Sequence, residues 1–232
     1  MKKVFFSMAG LLVMLLVSSF IFADRTAEDV RNLESFQGIG ISISADVFYT
    51  QGNSHEIRIE GDERDVDDLI TNVRDGFLQV KYENLKIKRS KLTIYITSKE
   101  LDAVKISGSA HFKAEKPVTS EEIDLAISGS GGVLFSKLVS DEVGVKISGS
   151  GGVELAAGNA DELDVKISGS GKLKAEKFEV SECSATLSGS GSVRITAKDE
   201  LDARMSGSGK VYYHGNPQVN SVSSGSGKLI AL

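Results

Sequence analysis

The chain has 232 residues, with 27 Lys plus Arg against 32 Asp plus Glu and a formal net charge of −5. A hydrophobic content of 41%, with ten Phe and five Tyr, supplies enough apolar surface for a packed core and excludes a wholly disordered chain. The single Cys excludes an internal disulfide and a thiolate-rich zinc site, and the acidic balance argues against nucleic acid as a partner.

At the N-terminus, Met1, Lys2 and Lys3 precede an apolar run over residues 4–22, closed by Ala23 before Asp24 and Arg25. A short basic region, an apolar stretch and a small residue predict a secretory signal peptide over 1–23. The competing reading is an uncleaved membrane anchor, because the run is nearly long enough to span a bilayer and Ile21 is larger than the usual residue at that place. Membrane contact is expected only through such an uncleaved segment. Cys183 lies far from this segment, so lipid attachment just past the signal is excluded. Export implies a location in the periplasm, on the outer-membrane surface or outside the cell. Loss of Lys2 and Lys3 takes the net charge from −5 to −7.

Residues 24–31 form a short N-terminal segment. From 32 to 101 the apolar residues alternate in four runs: Ile39, Ile41, Ile43, Ala45 and Val47; Ile57 and Ile59; Phe77, Leu78 and Val80; Leu92, Ile94 and Ile96. Period-two alternation predicts strands. Val66, Leu69, Ile70 and Val73 fall at helical spacing and predict one short helix around 66–73, placed to cover one end of the fold.

Residues 102–232 are repetitive. Ser-Gly-Ser-Gly, once Ser-Gly-Ser-Ala, begins at Ser107, Ser128, Ser148, Ser168, Ser188, Ser206 and Ser224, at intervals of 21, 20, 20, 20, 18 and 18. Each copy is flanked by apolar alternation, unlike a flexible linker. In Leu163, Val165, Ile167, Gly169, Gly171, Leu173 and Ala175 the inward phase runs through the motif, so both glycines are expected to face inward and both serines outward. A unit of about 20 residues cannot bury its own apolar face and must stack on copies of itself. The prediction is an all-β parallel β-solenoid (a β-helix, right-handed by default), continuous with the irregular opening coils of 32–101. Its rival is an antiparallel meander or barrel, disfavoured by the lack of Asn-Gly or Asp-Gly hairpin signals between the repeated strands. The sequence closes on Lys228, Leu229, Ile230, Ala231 and Leu232 with no polar cap, which predicts an open last coil and end-to-end self-association.

Phe36, Gly38, Ile39, Ile41 and Val47, the turn at Asp75, Gly76 and Leu78, and the repeated Ile-Ser-Gly-Ser-Gly units together carry a resemblance. The chain resembles a bacterial domain family of unknown function, widespread in Bacteroidetes, labelled the head GIN domain of putative autotransporter adhesins. The resemblance covers nearly the whole expected mature chain and implies an exported β-solenoid. It offers no catalytic residue. The chain shows no C-terminal run of amphipathic ten-residue strands such as build an outer-membrane barrel.

The outward serines, Ser128 with Ser130, Ser148 with Ser150, Ser168 with Ser170 and Ser188 with Ser190, are expected to stack into two hydroxyl rows. Such rows could meet a repetitive glycan or a peptide strand; equally, small polar residues simply suit a tight bend at the surface. Tyr212 and Tyr213 form a candidate aromatic contact. Gly131-Gly132 and Gly151-Gly152 are followed by Val and lack the carboxylate of a calcium repeat. His55, His111 and His214 share no ligand spacing, and Cys183 sits in the inward phase as a buried thiol. No catalytic, cofactor or metal residues are expected. Three readings follow: a non-enzymatic, adhesin-like envelope or surface protein binding polysaccharide, protein or its own copies; a carbohydrate-active β-solenoid enzyme; and a ligand-free structural protein of the periplasm.

Overall fold

The computed structural model describes residues 26–84 and 89–232; the expected signal segment lies outside them. Strands account for 71% of the chain and helix for 2%, in stacked coils of about 20 residues that form a β-solenoid. The coil starting at Glu142 shows the unit. Strand Glu142–Gly149 lies on the first face, the chain turns at Ser150 and Gly151, and strand Gly152–Leu155 runs along the second face. A short third side then leads into the next coil, where Leu138 and Val139 pair with Gly158 and Asn159.

Pairing between successive coils is parallel and almost without slip. Val143, Val145 and Ile147 pair with Leu163, Val165 and Ile167, which pair in turn with Cys183, Ala185 and Leu187. Each inward column is therefore an apolar stack, and all these side chains are buried. A one-residue slip would turn every column outward, so the alternation read from the sequence also sets the register.

At the corner the two glycines do different work. The second, as in Gly131, Gly151 and Gly171, is buried and keeps the inward phase. The first is half-exposed and turns the chain: Gly149 and Gly169 have φ of +119° and +113°. The expectation that both glycines simply face inward is corrected here, because the strand ends at the first of them.

The opening coils do not stack in chain order. Strand Gly38–Ile41 lies between Phe77–Tyr82 and Ala103–Gly108, and Ala45–Gln51 lies between Leu92–Ser98 and His111–Ala114. The strands Phe77–Tyr82 and Leu92–Ser98 are thus laid outside the coil made first. Ser42, Ile43, Ser44 and Ala45 occupy the corner that Ser107, Gly108, Ser109 and Ala110 fill in the next coil, so a degenerate copy of the motif exists in the first half. Ile43 is buried there.

Antiparallel strands cover this end. Glu56–Asp62 pairs with Leu92–Ser98 and with Thr26–Asn32, and Leu69–Arg74 pairs with Phe77–Tyr82. The outermost strand, TAEDVRN, carries charge along its edge, which discourages further pairing. Asp75 (φ +51°) and Gly76 (φ +73°) close the hairpin between Leu69–Arg74 and Phe77–Tyr82, the pattern of a tight turn with both central residues left-handed.

The helix expected around 66–73 is shorter and earlier, at Glu63–Asp67, capped by the Asp62 carboxylate accepting from the Arg64 N–H at 3.1 Å. Leu69, Ile70 and Val73 are strand residues instead. Cross-strand pairing of β-branched side chains overrides a helical spacing only two turns long. Arg89 ties the helix down: its guanidinium pairs with Asp65 and Asp68 and lies 4.2 Å from the centre of the Tyr82 ring.

In the last coil, Val219, Ser221 and Ser223 continue the inward line of Leu201, Ala203 and Met205. The Ser223 hydroxyl donates to the Gly227 carbonyl at 3.2 Å. The inward line therefore turns polar at Ser221 and Ser223, while Leu229 still packs on the core.

Candidate interaction faces

Because coils repeat in register, each outward position becomes a row running along the solenoid, one residue per coil at a spacing of about 4.8 Å. On the first face, Ser107, Ser128, Ser148, Ser168, Ser188, Ser206 and Ser224 form one such row. The second serine of each motif is held by its backbone: the N–H groups of Ser130, Ser150, Ser170 and Ser190 donate to Gly108, Gly129, Gly149 and Gly169 at 2.8–2.9 Å. Both sets are exposed. The corner thus brings Ser128, Ser130, Ser148, Ser150, Ser168, Ser170, Ser188 and Ser190 together as two parallel rows along one ridge.

Two charged rows share the first face with the first serine row. Glu122, Glu142, Glu162, Glu182 and Glu200 stack at the start of the first face. Lys105, Lys146, Lys166 and Arg204 share a row nearer the corner, interrupted by Ala126 and Thr186. Adjacent like charges repel across a sheet, and Lys166 relieves part of this by pairing with Asp164. Toward the capped end the acidic run continues to Asp102, whose carboxyl burial pushes above its usual range, with Glu100 and Glu121 adding to the rise. The sequence places these acids one per coil; the structure puts them at strand starts, in a ladder.

The second face has a different character. Its first outward row reads Asp46, His111, Gly132, Gly152, Lys172, Ser192, Lys210 and Lys228, with Asp46 held by Lys91 at 2.7 Å. The second reads Phe48, Lys113, Leu134, Glu154, Lys174, Arg194, Tyr212 and Ile230. Phe48 stacks on Tyr95 at 5.4 Å between centroids, with the Arg58 guanidinium 3.9 Å from the Tyr95 ring centre and the Lys113 amine 5.3 Å from that of Phe48. Tyr212 faces outward under the Arg194 guanidinium at 4.4 Å, whereas Tyr213 faces inward and packs on the core. The tyrosine pair is therefore split, and only Tyr212 belongs to a surface.

The Phe48–Tyr95 stack and the glycines Gly132 and Gly152 went unnoticed as surface features in the sequence. For the glycines the signal was present: the residue after the motif is Gly at 132 and 152 but Lys, Ser and Lys at 172, 192 and 210. The aromatic stack joins Phe48 to Tyr95, 47 residues further along the chain, and no local pattern marks it.

His55 packs edge-on against Phe36 at 5.3 Å, while His111 lies on the second face and His214 is exposed. Cys183 is buried, and that burial, reinforced by Asp164, pushes its thiol from 9.0 up to about 12. Tyr49 shifts the same way, from 10.0 to about 12, also through burial. Folded-state values raised in this way are lost as stability when pH climbs: above about pH 9 the unfolded chain releases the thiol proton while the folded chain keeps it. Iodoacetamide is expected to leave Cys183 unmodified in the folded protein at pH 8 and to label it fully in urea, and chemical stability is expected to decline between pH 9 and 12. Labelling at equal rates in both conditions would contradict the buried assignment.

A model of the family described as "Putative auto-transporter adhesin, head GIN domain" matches residues 35–217. The chain belongs to this family. The match spans both opening coils and six of the seven repeated corners, the one at Ser224 lying beyond it. Among solved structures, a putative adhesin from Bacteroides fragilis is similar at 23% identity with a TM-score of 0.86, covering 90% of this chain and 98% of its own. A putative adhesin from Parabacteroides merdae is similar at 26% identity and a TM-score of 0.74, covering 90% and 97%. A protein of Parabacteroides distasonis described as a putative lipid binding protein shares the fold at 23% identity and a TM-score of 0.68, covering 90% and 98%. No curated protein matches the chain. The chain thus shares its β-solenoid fold with proteins described as putative adhesins and with one described as a putative lipid binding protein.

Proposed function

We propose that the protein is an exported, non-enzymatic, adhesin-like envelope or surface protein that binds its partner through the long faces of the solenoid. The observation that carries this reading is the register: polar, charged and aromatic side chains stand in exposed rows, repeated coil by coil on a stiff stack. A repeated row suits a repetitive partner, since each further coil adds an equivalent contact without further ordering of the chain. Membership in an adhesin family supports the same reading.

The test is binding of the chain from Asp24 onward to a glycan array and to whole bacterial and host cells. Saturable binding to a defined set of glycans or surfaces, by protein with a β-rich circular dichroism spectrum, is the expected result. Folded protein that binds neither array nor cells would overturn the adhesin-like reading in favour of a structural role in the envelope.

A further inference from the structure

Gly132 and Gly152 stand side by side in the outward row of the second face, and nothing in the fold requires them to be glycine. Neither has positive φ. A Cβ on Gly152 would meet only the Lys172 carbonyl at 3.6 Å, and one on Gly132 would meet the His111 ring at 3.4 Å and the Gly152 carbonyl at 3.8 Å, all ordinary contacts. The corner glycines are different: a Cβ at Gly149, Gly169 or Gly189 would lie 2.5–2.6 Å from the carbonyl oxygen of the coil before. Glycine within a strand weakens it and marks places where another group approaches the backbone closely.

The missing side chains open a trough of about 320 Å³ across two coils, floored by bare backbone. His111 and Lys113 close one end, and Lys172 and Lys174 close the other. Glu154, the one carboxylate lining it, is engaged by Lys174 at 3.5 Å. Lys172 has no ion-pair partner among the described residues, nor do Lys210 and Lys228 further along the same row. Tyr212 lies two coils beyond Lys174 in the adjoining row.

We propose that this trough binds an acidic sugar unit of a linear polysaccharide running along the solenoid axis. The ring face packs on the Gly132 and Gly152 backbone, and its carboxylate or sulfate meets the lysines at either end. The next units pass over Lys210 and the Tyr212 ring. Charge complementarity selects an anion, and the narrow flat floor suits the C–H face of a pyranose, as does the aromatic ring beyond it. The net charge of −5 disfavours a broad polyanion such as duplex DNA. The proposal deepens the adhesin-like reading and rests on it, and it moves the contact from the serine ridge to the second face.

The test measures binding of oligogalacturonate, dextran sulfate and neutral dextran of matched length to the wild-type chain and to Gly152→Thr and Lys172→Gln. Threonine fills the trough without backbone strain and favours strand, so the filled variant is expected to melt no lower than wild type. The expected result is binding of one acidic glycan and not of neutral dextran, weakened about tenfold or more in both variants. Preference for oligogalacturonate or for dextran sulfate identifies carboxylate or sulfate as the recognised group. Equal binding by wild type and Gly152→Thr would overturn the site, as would failure to bind either acidic glycan. Equal binding of single-stranded DNA or of anionic phospholipid vesicles would reduce the face to a general cationic surface and overturn it as well. Whole-cell binding, run alongside, separates the two levels: cell binding unchanged in Gly152→Thr removes the trough and leaves adhesion, whereas no cell binding by wild type removes adhesion itself.

Discussion

Gly169→Ala is expected to destabilise the solenoid by about 3–5 kcal/mol, combining the strain of an L-residue held at positive φ with overpacking against backbone. The added methyl would sit 2.6 Å from the Gly149 carbonyl oxygen and 3.3 Å from its carbonyl carbon and amide nitrogen. Because those atoms belong to a paired coil, the clash cannot be relieved by a rotamer change. Gly108→Ala provides the internal comparison: φ is again positive, at +119°, but its Cβ would meet nothing within 4 Å. It should cost only the conformational part, about 1–3 kcal/mol. Urea unfolding followed by circular dichroism measures both. Equal losses for the two variants would show that stacking of the corners contributes nothing, and a loss below 1 kcal/mol at Gly169 would contradict the corner geometry. Contacts in a solenoid reach only neighbouring coils, so the transition should also broaden if the damaged coil uncouples the two ends.

Phe112→Ala is expected to cost about 3–5 kcal/mol, the usual range for deleting a buried ring and leaving a cavity. Phe112 is completely buried and joins two aromatic neighbours, Tyr49 at 5.7 Å and Phe135 at 5.8 Å between centroids. Tyr49 is fixed from behind by its hydroxyl, 3.0 Å from the Ser98 hydroxyl, so the cavity cannot close by simple movement of that ring. The three rings come from successive coils of the stack and bind the opening half to the repetitive half. A double variant with Phe135→Ala should lose less than the sum of the single losses, because the two rings share a contact. Strict additivity, measured by the same urea titrations, would contradict the continuous aromatic column. Phe48→Ala, on the half-exposed outer surface, should cost much less.

The repeated half was readable because its periodicity is local. An inward column of Val, Ile and Leu every second residue, renewed about every 20 residues, leaves a parallel stack as the arrangement that buries every column at once. The opening half was readable as strands but not as an order of coils. Ser42, Ile43, Ser44 and Ala45 conceal the motif by placing Ile where the corner glycine belongs, and Ile43 is tolerated there because its φ is not positive, unlike that of Gly108 at +119°. That the strands Phe77–Tyr82 and Leu92–Ser98 lie outside the coil of 38–51 depends on long-range pairing, which leaves no periodic trace.

By itself the sequence determined the all-β class, the length of the coil, the inward columns, the outward serines and the buried Cys183, since each follows from alternation and repeat spacing. Only the tertiary structure decided which residues of different coils share a row. It gathered Glu122 with Glu142 and Glu162, split Tyr212 from Tyr213, and set Gly132 beside Gly152 between His111 and Lys172. The physical reason is that a side chain's face is set by its own strand, whereas its neighbours on that face are set by the register between strands far apart in the chain.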